Sequence, residues 1–265
     1  MGEGRKQCRR SPRRVARTMR AQQWKSPGQT FPGLYYNLTN QAHLLIAGTT
    51  GSGKSTLINT FIYNLLLLPP TVCKLCLIDP KGCELVDYAD TPHTIAHACE
   101  LPEIVEELQK MARLMDARFK EMKRKKQKQS TRPHIYIIID EYIDIKTQAG
   151  KVAEVPLIRL IAKGRASNIH IILCTQRPTR DIISGAIVAN FPARVALRCS
   201  NRQESRNIID TGGAELLPLY GRALYKYPGA SAPVNIEIKQ TTPKDIAERV
   251  QWWKNQKAPK FWGLF

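Results

Sequence analysis

Eight consecutive residues of this chain have the make-up of a phosphate cradle: Gly48-Thr49-Thr50-Gly51-Ser52-Gly53-Lys54-Ser55, with Thr56 next. The glycines permit a tight backbone that turns several N–H groups toward one anion. A helix starting here would add the positive end of its dipole. In the spacing GxxxxGK[ST], the lysine meets the β- and γ-phosphates and the hydroxyl ligates Mg2+. Gly48 to Thr56 are therefore read as an ATP site, with Lys54 as the phosphate cation and Ser55 as a metal ligand.

Two acids extend that chemistry. Asp140 and Glu141 close the apolar run HIYIIID. In an open α/β sheet, ligands gather at the carboxyl ends of strands. Asp140 then holds Mg2+ through a water, and Glu141 is the base that polarises the attacking water. The plain alternative is an acidic helix start after a strand. Gln176, at the end of IHIILCT, either senses the γ-phosphate or caps a turn.

These residues need a scaffold, and the chain alternates strand and helix from about residue 41. Short apolar runs over 43–48, 72–79, 134–140, 169–175 and 193–199 read as buried strands. Further strands are expected near 221–227 and 234–238. Helices are expected over 54–68, 102–127, 154–166 and 201–209, and after Pro243. In the long helix, Ile104, Leu108, Met111, Leu114 and Met115 form one stripe. The rhythm predicts an α/β fold, a mostly parallel central sheet flanked by helices.

Composition narrows the partners. Lys and Arg total 41 against 22 acids, a net +19 in 265 residues. Such an excess favours a polyanion, because each neutralised phosphate releases counterions. No amphipathic anchor helix is evident, so nucleic acid is preferred over a membrane surface. Residues 1–25 carry nine basic residues and one acid. They read as a disordered arm, serving either DNA tethering or solubility. Residues 26–42 read as a Pro/Gly lead-in loop. A second basic run, Lys120–Arg132, holds seven Lys/Arg and one Glu. Candidate DNA contacts are Arg9, Arg10, Arg13 and Arg14 in the arm, and Lys123, Arg124, Lys125 and Lys126 in this run.

No stretch reaches the roughly 18 apolar residues of a membrane span. FIYNLLLLPP is interrupted by Asn64 and stopped by Pro69 and Pro70. Seven cysteines without framework spacing suggest free thiols in a reducing compartment. A cytoplasmic protein without direct membrane insertion is expected. Cys73 and Cys76 form a CxxC, but on a strand residues three apart face opposite ways, against a shared zinc.

The segments HLLIAGTTGSGKS, LIDPKGCEL, IIIDEYID, KGRASNIHIILCTQRP and GAIVANFPARVALRCSNRQESRNIID occur in the order seen in the FtsK/SpoIIIE family of DNA translocases. The trailing GGAELLPLYGRALY also resembles that family. The resemblance runs from about residue 43 to about 240, leaving 241–265 as a C-terminal helix and tail. It implies a RecA-like P-loop motor, a hexameric ring and double-stranded DNA in its channel. Lys54 and Ser55 match the family's Walker A pair, and Asp140 and Glu141 its Walker B pair. Arg165 matches an arginine finger offered to a neighbouring subunit. Arg202 falls where the family carries a basic sensor, usually Lys. The motif Asp79-Pro80-Lys81 is shared, its role open. Arg222 replaces a common acid, and DEYIDI the more usual DEFADL. With neither membrane segments nor a winged-helix reader in the sequence, the resemblance suits a mobile element, phage or plasmid, with recruiting protein partners. Two other readings are a secretion-type ATPase and an ATP-dependent DNA-binding ring without translocation.

Overall fold

The computed structural model describes residues 42–238 and 240–256. The expected arm, with Arg9, Arg10, Arg13 and Arg14, and nearly all of the 26–42 loop lie outside them.

Eight strands form one sheet in the order β3-β2-β4-β5-β1-β6-β7-β8. They are β1 (His43–Ala47), β2 (Cys73–Ile78), β3 (Thr94–Ala98), β4 (His134–Ile139), β5 (Ile169–Thr175), β6 (Ala193–Ala196), β7 (Arg222–Lys226) and β8 (Val234–Glu237). The first six are parallel; β7 and β8 run antiparallel at one edge. The central runs LLIA, IYIII and IHIILCT are buried throughout, as strands covered on both faces must be.

The strand period of two sorts side chains between two cores. Leu45, Ala47, Ile137, Ile139, Ile171 and Leu173 face one core. There they meet α2 (Leu101–Arg124), α3 (Tyr142–Ala149), α4 (Lys151–Lys163), α5 (Gly185–Ala189) and α6 (Arg202–Ile209). Leu44, Ile46, Ile138 and Ile172 face the other. There they meet α1 (Lys54–Leu65) and α7 (Pro243–Lys254). Trp253 on α7 donates its indole N–H to the Leu66 carbonyl at 2.7 Å, so the last helix closes over the end of α1. Cys73 packs in one core and Cys76 in the other. Their separation across the sheet follows from the alternation of the strand.

Several boundaries differ from expectation. α1 stops at Leu65, and residues 66–68 form a turn. α4 begins at Lys151 rather than 154 and gives way to a 3-10 turn over Gly164–Ser167. β6 ends at Ala196, although Leu197 still donates to Ala47 at 2.8 Å. Three elements were not foreseen, among them the five-residue helix α5. Edge strand β3, TIAHA, is only half-buried and lacks an apolar run. Helix α3 is eight residues long and follows immediately on the acid pair.

Candidate nucleotide site

β1 lies between β5 and β6. The chain leaves β1 into α1 on one face, whereas α5, after β5, packs on the other. The crevice outside the carboxyl ends of β1 and β5 is the topological switch point, where open sheets bind ligands. The glycine-rich loop occupies it.

Backbone geometry explains the glycines. Gly51 and Gly53 have φ of 76° and 93°, conformations that side-chain-bearing residues rarely adopt. At Gly48 a β-carbon would lie 2.5 Å from Leu197 Cβ. The loop is pinned on both flanks. Gly48 N donates to Thr175 O at 3.3 Å, while Thr49 N and Oγ1 donate to Arg198 O at 2.8 and 3.1 Å. Gly53 caps α1 without a side chain. The first-turn N–H groups, including those of Ser55 and Thr56, therefore have no intrahelical acceptor.

The charged centre is compact and buried. Lys54 Nζ donates to the Asp140 carbonyl at 2.7 Å and to Asp140 Oδ1 at 3.1 Å, and lies 3.6 Å from Glu141 Oε2. Burial opposes the Lys54 charge, but the neighbouring Cys174, Asp140 and Glu141 together outweigh it and hold its pKa above the ordinary lysine value. For Asp140 the balance is reversed: burial dominates, and its pKa is raised despite the lysine. The Gln176 backbone N–H donates to Glu141 Oε1 at 3.0 Å. Glu141 Oε2 is buried without a hydrogen-bond partner, as is Ser52 Oγ. Thr50 Oγ1 donates to Gln176 Oε1 at 2.6 Å, tying the loop to the end of β5.

Thr50, Lys54, Asp140, Glu141 and Gln176 thus meet in one place, with Ser55 in the adjoining first turn of α1. Arg202 lies at the same end of the sheet. Its side chain spreads over Gly212, where a β-carbon would come within 2.7 Å of Nε. Arg165 lies elsewhere, exposed in the turn before β5. The seven residues of β5 span about 23 Å, so Arg165 cannot serve the loop of its own chain. The exposed basic cluster Lys123–Lys126 is at that same far end, where Ser130 N donates to Ala166 O at 2.8 Å.

The sequence comparison decides the family. The FtsK/SpoIIIE family profile matches residues 31–132 and 125–180. The chain belongs to the FtsK/SpoIIIE family. The DNA translocase FtsK of Helicobacter pylori is 37% identical over 240 residues, covering 85% of this chain and 28% of that protein. This chain therefore spans less than a third of that relative's length. Among solved structures, the pCW3 conjugation coupling protein TcpA, a monomer with ATPgS, superimposes with a TM-score of 0.74. Identity is 23%, over 86% of this chain and 69% of that one. The cytoplasmic domain of the type VII secretion ATPase EccC of Thermomonospora curvata gives 0.69 at 21% identity, over 80% and 28%. Both share the P-loop ATPase fold. No described helix of this FtsK/SpoIIIE member is long and apolar enough to cross a membrane.

One motif whose role the sequence left open, and two residues it missed, also contribute to the site. Asp79 of the shared Asp-Pro-Lys motif is fully buried and accepts from the N–H groups of Lys81, Glu84 and Leu85 at 2.8–3.1 Å. It shapes the turn beside Asp140. Arg198 couples the P-loop to the 211–221 loop, since its guanidinium donates to Leu217 O at 3.0 Å. Tyr220 stands next to Gly51. No spacing rule marks Arg198 or Tyr220, because each depends on a contact between distant segments.

Proposed function

We propose that this chain is the motor of an ATP-driven DNA translocase. The observation that carries the ATPase reading is the arrangement of Lys54, Asp140 and Glu141 under the P-loop. Lys54 neutralises the acids in this state and is the group that a triphosphate would draw onto its β- and γ-oxygens. Hard oxygen donors from Ser55 and, through water, Asp140 suit Mg2+. The buried Oε2 of Glu141, paired with Lys54 only as an ion and without a hydrogen bond, is a ready acceptor for a proton of the attacking water. Mg2+ would supply charge neutralisation on the phosphates. Gln176, bonded to Thr50, reports the state of the γ-phosphate, and Arg202 adds positive charge at the same end.

Assembly follows from the position of Arg165. Too far from its own P-loop, it would be offered to the next subunit, where a guanidinium stabilises charge on the departing phosphate. A closed ring, hexameric as in the family resemblance, repeats that contact. Double-stranded DNA as the substrate is supported by the net charge of +19 and by the DNA translocase relative.

The test is the ATPase rate with and without long linear duplex DNA, followed by displacement of a triplex strand bound to that duplex. Stimulation and displacement are expected. Turnover untouched by DNA would favour the secretion-type reading. DNA binding without turnover would leave an ATP-assembled ring that does not translocate.

A further inference from the structure

The acids and Gln176 lie on the β4/β5 side of the P-loop, the side where the nucleotide reading puts the terminal phosphate. A nucleotide lying across the loop then directs its sugar and base away from β4, toward β6 and β7. On that side the 211–221 loop crosses the carboxyl end of the parallel strands. It is held in place rather than free. Leu217 is buried, and its carbonyl accepts from Arg198, whose own carbonyl accepts from Thr49. Gly221 O accepts from Ile238 N at 2.8 Å.

Tyr220 projects from this tethered loop. The residue is 66% exposed. Among the described residues, chain neighbours of Gly51 aside, its hydroxyl is the sole atom within 4 Å of where a β-carbon on Gly51 would stand, at 3.9 Å. The other exposed large aromatics among the described residues are Tyr227 and Trp252. Tyr227 follows β7 at the opposite end of the sheet, and Trp252 is on α7. An exposed ring beside a phosphate loop has an apolar face to cover, and a nucleobase offers a matching π-surface.

We infer that Tyr220 is the base platform of the nucleotide site, stacking on the nucleobase while the P-loop holds the phosphates. The inference rests on the nucleotide reading of the P-loop and adds to it the group that distinguishes a nucleotide from a bare polyphosphate. Stacking recognises a π-face rather than a hydrogen-bonding edge, so the ring confers affinity for the base rather than a choice between purines.

The test compares binding of a non-hydrolysable ATP analogue with binding of inorganic tripolyphosphate to the whole chain. Tyr220→Ala should weaken the analogue about 5- to 150-fold, the range for loss of one aromatic stack, and leave tripolyphosphate unchanged. The retained tripolyphosphate site also shows that the variant is folded. Tyr220→Phe should bind the analogue within about twofold of the parent, since the ring remains. Unchanged analogue binding in Tyr220→Ala overturns the proposal, as does an equal loss of both ligands. A loss in Tyr220→Phe as large as in Tyr220→Ala assigns the effect to the hydroxyl and overturns it too. Lys54→Ala should abolish binding of both ligands. Retention of both there would remove the P-loop reading itself, a failure distinct from that of Tyr220.

Discussion

The guanidinium of Arg118 reaches from α2 to the carbonyl of Ser167 at 2.7 Å, two residues beyond Arg165, and also donates to Pro133 O at 3.0 Å. Arg118 is buried, and burial, aided by the nearby Arg132, lowers its pKa to about 10; it stays charged at neutral pH. Asn168 holds the same turn from the other side, with Nδ2 donating to Ser130 O and Arg132 O. Arg118→Leu should leave one buried and one half-buried carbonyl without this donor and cost on the order of 3 kcal/mol. Urea denaturation checks this. An unchanged midpoint would mean that water replaces the guanidinium.

Removing Lys54 should do more than lose a phosphate contact. Asp140 and Glu141 would be left buried together without their cation, and breaking a buried pair costs about 3–5 kcal/mol. Asp140 already titrates above its ordinary value. A raised carboxyl penalises the folded state at neutral pH, and that penalty fades as pH falls through the folded pKa. Lys54→Ala should therefore lose ATP binding at every pH. Its stability deficit relative to the parent should be larger at pH 8 than at pH 5. Calorimetric titration and paired melts test both parts, and a deficit independent of pH would place the cost elsewhere.

Glu141→Gln keeps the shape of the site and removes the base. It should still bind ATP but lose turnover about 10²-fold or more. Single-turnover hydrolysis is the measurement. Near-parental rates would mean that another group activates the water.

If Arg165 acts on the neighbour's nucleotide, specific activity should rise with protein concentration. Arg165→Ala and Glu141→Gln subunits should each be defective alone. Mixed, they should regain part of the activity, because some interfaces carry both groups. Concentration-independent activity without rescue would falsify action in trans.

Acid should destabilise the fold through its histidines. Burial lowers the pKa of His43 and His93 to about 4 and that of His170 to about 3. Between pH 6.5 and 4 the unfolded chain takes up protons that these folded imidazoles refuse, so stability rises with pH and is lost as pH falls. A shift of that size is worth about 3 kcal/mol for His43 alone. Denaturation midpoints at pH 7.5, 6, 5 and 4.5 should decline steadily; a flat profile would contradict the buried neutral histidines.

Much of this protein was legible in its residues. The P-loop announces itself because its chemistry is local: glycine torsions, a lysine and a hydroxyl at fixed spacing on the strand–loop–helix that presents them. The strands of β1, β4 and β5 were equally plain, since burial on both faces demands unbroken apolar runs. Even Arg118 carried a signal, falling three residues after Met115 on the buried stripe of α2. β3 did not, because a half-covered edge strand needs no apolar run. Only the tertiary structure could decide which segments meet. Strand order brings Gln176 to Thr50 across 126 positions, and Arg198 to Thr49 across 149. It also sends Arg165 to the far end of β5, although Arg165 is eleven residues from Gln176 in the chain. Periodicity records which face a side chain takes, but not which strand lies beside it; that choice belongs to packing between elements distant in sequence, and here it separates the phosphate-binding end of the subunit from the arginine proposed to act on its neighbour.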